Sequence, residues 1–131
     1  MDVNNSFLQG LKILIADADE DTRLLYAEVF TYHGAEVVVA GSILQAEAAL
    51  TQFHPDVVIA DLVLEGRYVY DFLPEFEQRS VIVTTAVICR DEQEWALMRG
   101  IDFYLLKPVE LDALVDAVCH SVQVHPVLCA C

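Results

Sequence analysis

An open parallel sheet of five strands, covered by helices on both faces, is the fold this sequence predicts. Three observations carry the prediction. Five short apolar runs, most of them rich in β-branched residues, recur along the 131 residues. None of them alternates strictly, which is the pattern of strands buried on both sides. Between them lie segments with helical spacing and recognisable start and stop signals. Strand and helix alternating in this way feed right-handed crossovers into one doubly wound parallel sheet.

The first strand is Lys12 to Ala16. Asp19, Glu20 and Asp21 then suit a helix N-terminus, by capping and by the dipole. Leu25, Val29 and Tyr32 share one face of this helix, and Gly34 supplies its C-terminal stop. The second strand is Glu36 to Ala40. Ser42 and Gln45 are spaced as a capping box, with Ile43, Ala46, Leu50 and Phe53 inward and Pro55 ending the helix. The third strand is Asp56 to Ala60. In the crossover from Leu62 to Arg79 only Tyr70 to Phe76 has helical character, and Pro74 falls inside it, so the third helix should be short or distorted. Ser80 to Thr84 is the fourth strand. Asp91 and Glu94 form a second capping box ahead of Trp95, Leu97 and Met98, and Gly100 closes that helix. Phe103 to Leu106 is the fifth strand. After Lys107-Pro108 the last helix carries Leu111, Leu114, Val115 and Val118 as its buried stripe.

At 14.6 kDa and 56% hydrophobic residues, the chain is long and apolar enough for one domain and too short for two. We divide it into an N-terminal extension over 1–11, the domain over 12–122 and a C-terminal tail over 123–131. A formal charge of -14 repels phosphate backbones and anionic lipid, so nucleic acid and membrane surfaces are not expected partners. The N-terminal residues show no positive n-region or apolar h-region, and a cytoplasmic location is expected. Four cysteines fit that compartment: Cys89 and Cys119 fall in folded segments, while Cys129 and Cys131 form a Cys-Ala-Cys tail. That tail, with His120 and His125, matches no standard zinc spacing.

In an open parallel sheet, ligands sit at the carboxyl ends of the strands. Strand one ends in Asp17, strand three in Asp61, strand four in Thr84-Thr85-Ala86 and strand five in Lys107-Pro108. Each has a bland reading alone, as a cap, a strand residue or a solvated lysine. Together they bring two carboxylates, a hydroxyl and an ammonium into one crevice, a set suited to phosphoryl transfer onto a carboxylate. An Asp oxygen attacks in line, a magnesium ion held by carboxylates and a carbonyl bridges phosphoryl oxygens, and Lys and Thr meet the others.

The segments KILIADADED, PDVVIADLVLEG, VIVTTA and GIDFYLLKP resemble, in this order, the signature regions of receiver domains of the response-regulator family, from about Lys12 to Val122. The resemblance implies a flavodoxin-like sheet of strand order 2-1-3-4-5. It implies Asp61 as phosphoacceptor, Lys107 as the phosphate-pairing lysine, Thr85 as the switch hydroxyl and Tyr104 as the aromatic switch residue. A cis bond at Lys107-Pro108 is implied too. Receivers usually carry two consecutive acids after strand one, and here the pair reads Asp17-Ala18. Magnesium is then left with Asp17, Asp61 and the backbone carbonyl of Val63, so weaker metal binding is expected unless Asp19 reaches inward instead of capping the helix. The third crossover is also shorter than is usual in the family, with Arg67, Tyr68 and Tyr70 as loop residues.

The implied function is a stand-alone phosphorylation switch. A sensor histidine kinase or phosphotransfer protein donates to Asp61, and the signal leaves to a downstream protein target. The face formed by the fourth helix, fifth strand and fifth helix carries that signal, with Trp95 as a candidate contact or else a packed residue, and a homodimer through the same face is a further expectation. One alternative is a pseudo-receiver docking module with weak or no phosphorylation. Another, of a different class, is a small haloacid-dehalogenase-type phosphatase with Asp17 as nucleophile and Asp19 as general acid, because ILIADADEDT resembles the first motif of that family. A flavin-binding relative of the same architecture is disfavoured by the acidic loop after strand one.

Overall fold

The computed structural model describes residues 7–69, 71, 79–86 and 90–122. Over these the chain runs β1 (Lys12–Ala16), α1 (Glu20–Tyr32), β2 (Glu36–Ala40), α2 (Ile43–Gln52), β3 (Val57–Asp61), β4 (Val63–Leu64) and β5 (Arg67–Tyr68). It continues through β6 (Ser80–Thr85), α3 (Arg90–Met98), β7 (Phe103–Leu106) and α4 (Leu111–Ser121). Five strands form one parallel sheet in the order β2-β1-β3-β6-β7. With the short pair β4 and β5 left out of the count this is the expected order 2-1-3-4-5. Two strand limits differ slightly from expectation: β3 begins and ends one residue later, and β6 extends to Thr85.

Strand alternation sends neighbouring residues to opposite faces, and both faces are covered. Ile13, Ile15, Val57, Ile59 and Ile82 pack with Phe30 of α1 and Leu114 and Val118 of α4. Leu14, Val58, Val81 and Val83 pack with Leu50 of α2 and Ala96 of α3. This double burial is why the strand sequences show no polar face. Among the described residues, no helix is long and apolar enough to cross a membrane.

Local signals set most of the helix ends. Asp19 is the N-cap of α1, its carboxylate accepting from the Thr22 N–H. Ser42 caps α2 by accepting from the Gln45 N–H at 3.1 Å, while the Gln45 side chain accepts from Gly41 N at 2.8 Å, one residue earlier than in a standard capping box. Gly34 and Gly100 both have the left-handed backbone of a helix stop, at φ 95° and 103°.

Two helix readings need correction. The buried residues of α1 are Tyr26 and Phe30, not the stripe Leu25, Val29 and Tyr32, of which Leu25 and Tyr32 are exposed. The helix carries two adjacent apolar stripes about 100° apart, and spacing alone does not choose between them. In α3 the helix already starts at Arg90, so Asp91 lies inside its first turn instead of capping it. There the core residue is the small Ala96, and Trp95, Leu97 and Met98 are exposed, with the Arg99 guanidinium 4.0 Å over the Trp95 ring.

The third crossover begins with an element the sequence reading missed. β4 and β5 pair antiparallel around Glu65-Gly66, whose φ values of 50° and 78° are the two positive values of a type I′ hairpin turn. Arg67 and Tyr68 are therefore strand residues, not loop. The expected distorted helix over 70–76 lies outside the described residues, apart from Asp71. The hairpin leans on α2: Glu65 Oε1 accepts from the Ile43 N–H at 2.6 Å, a carboxylate at a helix N-terminus that has no acid in its own first turn.

Candidate functional site

The sheet register assembles the site. Ala16 pairs with Ala60, so Asp17 stands beside Asp61; Asp61 pairs with Thr84, and Thr84 with Leu105. Alternation puts this top row on the side of α1 and α4, the side onto which Ile15, Ile59 and Ile82 point. Lys107 follows two residues after Leu105, with its main chain anchored by its N–H to the Thr85 carbonyl at 2.7 Å. Its peptide bond to Pro108 is cis. From β7 its side chain reaches back across the row, and Nζ lies 2.8 Å from Asp17 Oδ2 and 3.2 Å from Asp61 Oδ2.

One ammonium thus serves two carboxylates in a largely buried crevice. Asp17 is 2% exposed, and its Oδ1 accepts the Asp19 N–H at 2.9 Å in a tight local turn. Burial pushes the Asp61 pKa above the usual carboxylate range, and the Asp17 charge adds to the rise while Lys107 opposes it. Burial works to lower the Lys107 pKa, but the hydrogen bond and charge of Asp17, and then those of Asp61, outweigh it and raise it. The cluster is an acid pair bridged by one charged lysine.

The other expected residues divide. Val83 pairs with Tyr104, so alternation puts Thr85 and Tyr104 together on the opposite face, toward α3; both are 6% exposed. Thr84, which the sequence reading passed over, is the threonine on Asp61's own face. It is 1% exposed, and its hydroxyl has no hydrogen-bond partner among the described residues. Counting alternation outward from Ile82 would have identified it.

Asp19 does not reach inward. Its carboxylate accepts from Thr22 N at 3.0 Å and Thr22 Oγ1 at 2.6 Å, and these bonds hold its pKa below the usual value. The residues that could hold a cation are therefore Asp17, Asp61 and, through its carbonyl, Val63, without an acid at position 18. The hairpin leaves that carbonyl available. Val69 N donates to Leu62 O at 2.8 Å, so the Val63–Tyr68 pair between that bond and the turn is a non-hydrogen-bonded pair of the ladder. Two carboxylates and a carbonyl are hard oxygen donors of the kind magnesium takes, with water completing the shell. Among the described residues, no group of three or more His, Cys, Asp or Glu side chains could hold a metal, so the fit depends on that carbonyl.

Comparisons with known proteins agree with this architecture. Sporulation initiation phosphotransferase F of Bacillus subtilis is 32% identical over 111 residues, covering 82% of this chain and 90% of that protein. A two-component response regulator from Clostridium difficile superposes with a TM-score of 0.80 at 21% identity, over 86% of this chain and 96% of the other. A response regulator from Burkholderia pseudomallei, solved with a phosphorylated aspartic acid, a calcium ion and citrate, superposes with a TM-score of 0.76 at 19% identity, over 86% of this chain and 69% of the other. Residues 13–119 match the response regulator receiver domain, and the chain belongs to that family.

Proposed function

We propose that the chain is a switch that accepts a phosphoryl group on Asp61 from a sensor histidine kinase or a phosphotransfer protein. The observation that carries this reading is the convergence of Asp61 and Asp17 within 3.2 Å of the Lys107 ammonium nitrogen. An Asp61 oxygen attacks the phosphorus, the bond from phosphorus to the donor's nitrogen breaks, and the leaving imidazole keeps the electron pair and takes up a proton. Lys107 then pairs with a phosphoryl oxygen, and Asp17 orients the lysine. Magnesium, held by Asp17, Asp61 and the Val63 carbonyl, would supply charge neutralisation at the phosphoryl oxygens. The phosphorylated aspartic acid of the Burkholderia pseudomallei protein supports the chemistry by analogy of fold.

In this reading residues 12–122 act as one cytoplasmic unit. Thr85 and Tyr104, on the α3 side, shift when Asp61 gains charge and alter the face of α3, β7 and α4. That face carries exposed Trp95, Met98 and Leu106, which suit contact with a downstream protein or a second copy of the chain. A pseudo-receiver is the second reading, favoured by Ala18 and by the commitment of Asp19 to capping. The phosphatase reading loses its general acid to that same cap. Mass spectrometry after treatment with acetyl phosphate and magnesium, beside Asp61→Asn, tests all three. An adduct on Asp61 supports the switch, none supports the docking module, and one on Asp17 supports the phosphatase.

A further inference from the structure

Every polar atom of Asp17 is held. Its N–H donates to Ala40 O at 3.0 Å, Oδ1 accepts from Asp19 N, Oδ2 from Lys107 Nζ, and its carbonyl accepts from Arg23 Nη1 at 2.8 Å. The last contact folds back from the first turn of α1, and the same nitrogen lies 3.2 Å from the Ala18 carbonyl. One guanidinium thus grips two consecutive carbonyls of the turn that carries Asp17 into the site. The methyl side chain of Ala18 adds no polar tie, so this turn depends on its backbone contacts.

Gly41, between β2 and α2, makes the seat for that guanidinium. A Cβ built there would lie 2.5 Å from Nη1 and 2.9 Å from Cζ of Arg23, and the backbone at Gly41 is outside the left-handed region. Space, not conformational freedom, is what this glycine supplies. The chain has seven Lys and Arg against 21 Asp and Glu. Even so, Arg23 has no carboxylate within ion-pair distance among the described residues. The hydrogen bonds of its Nη1 to two neutral carbonyls tie Arg23 to the shape of this turn.

We propose that Arg23 is a positioning residue of the phosphoacceptor site: seated on Gly41, it clamps the Asp17 and Ala18 carbonyls and so holds the Asp17 carboxylate against Lys107 and beside Asp61. The role in phosphorylation rests on the function proposed above; the clamp itself does not. Small displacements of a positioning group cost large factors in rate, up to about 100-fold for ~1 Å.

The test compares Arg23→Ala, Gly41→Ala and the double variant in the full chain. Two readouts are taken: hydrogen exchange of the Asp19 amide by NMR, which reports its bond to Asp17, and the rate of adduct formation on Asp61 with acetyl phosphate. Each single variant is expected to speed Asp19 exchange and slow adduct formation by roughly tenfold, with the thermal midpoint nearly unchanged. The double variant should be no slower than Arg23→Ala, because Gly41→Ala acts only by displacing the guanidinium. Wild-type exchange and rate in Gly41→Ala, or single effects that multiply in the double variant, overturn the clamp. Absence of an adduct in the wild-type chain refutes the proposed function instead, and the clamp is then decided by Asp19 exchange.

Discussion

Replacing Asp61 by Asn keeps the side-chain shape and removes a charge, and two effects compete over the outcome. Lys107, 3.2 Å away, favours the carboxylate; burial and the Asp17 charge oppose it. The side chain is only 22% exposed, and the net result is a raised pKa with burial as the largest cause. The charged form is therefore a liability in the fold. Asp61→Asn should therefore stabilise the protein at pH 7, seen as a higher Tm and a higher urea midpoint. The pH dependence has a definite sign. A raised acid contributes stability that is present below its ordinary pKa, 3.8, and lost as pH rises through the folded value. The advantage of Asn should then close as pH falls toward 4. Urea unfolding at pH 7 and near pH 4, with equal m-values, measures both statements. An Asn variant less stable than wild type at pH 7 would show that the lysine outweighs burial, and an advantage undiminished in acid would show that it does not come from the Asp61 charge; either result refutes the reasoning.

Lys107→Met leaves the nearly buried Asp17 with only the Asp19 N–H as donor to its carboxylate, and should cost about 3 kcal/mol at pH 7 in chemical denaturation. Because the folded pKa of Lys107 is raised, the difference from wild type should persist through pH 10.5, the ordinary lysine value, and fade only above it. Thr84→Val removes a buried hydroxyl that has no partner among the described residues, and should stabilise the fold by about 1 kcal/mol; a fall in the urea midpoint would mean that the hydroxyl is bonded in solution. Glu65→Ala should cost about 1 kcal/mol and speed exchange of the Ile43 amide, which donates to Glu65 at 2.6 Å; unchanged exchange would detach the hairpin from α2.

Where the sequence was legible, its local signals were unambiguous. Apolar runs such as Ile13–Ile15 and Val57–Ile59 lie within strands buried on both faces, and so they read as strands wherever they fall. Asp19 and Ser42 announce helix starts because a capping oxygen is needed within three residues of the amide it satisfies. Where two local answers were equally good, the reading failed. Leu25-Val29 and Tyr26-Phe30 have the same spacing, and only the second pair faces the sheet. Asp91-Glu94 has the spacing of a box, yet the helix starts one residue before it. Glu65-Gly66 carries a turn signal of its own: Gly at the second turn position permits the type I′ hairpin, and Glu65 takes its positive φ while bonded to α2.

By itself the sequence determined the five strands of the parallel sheet and the four described helices, the parallel order of the sheet through its resemblance to receivers, and the row of chemistry-bearing residues at strand ends. Those are properties of short stretches, set by burial period and capping over a few residues. The tertiary structure decided which threonine shares a face with Asp61, that Lys107 joins Asp17 and Asp61, that Asp19 caps instead of reaching inward, and that Arg23 rests on Gly41. Each of those depends on register between strands or on contact between residues far apart in the chain, such as the 90-residue separation of Lys107 and Asp17. Such contacts are fixed only when the sheet closes its ladder and brings the strand ends level.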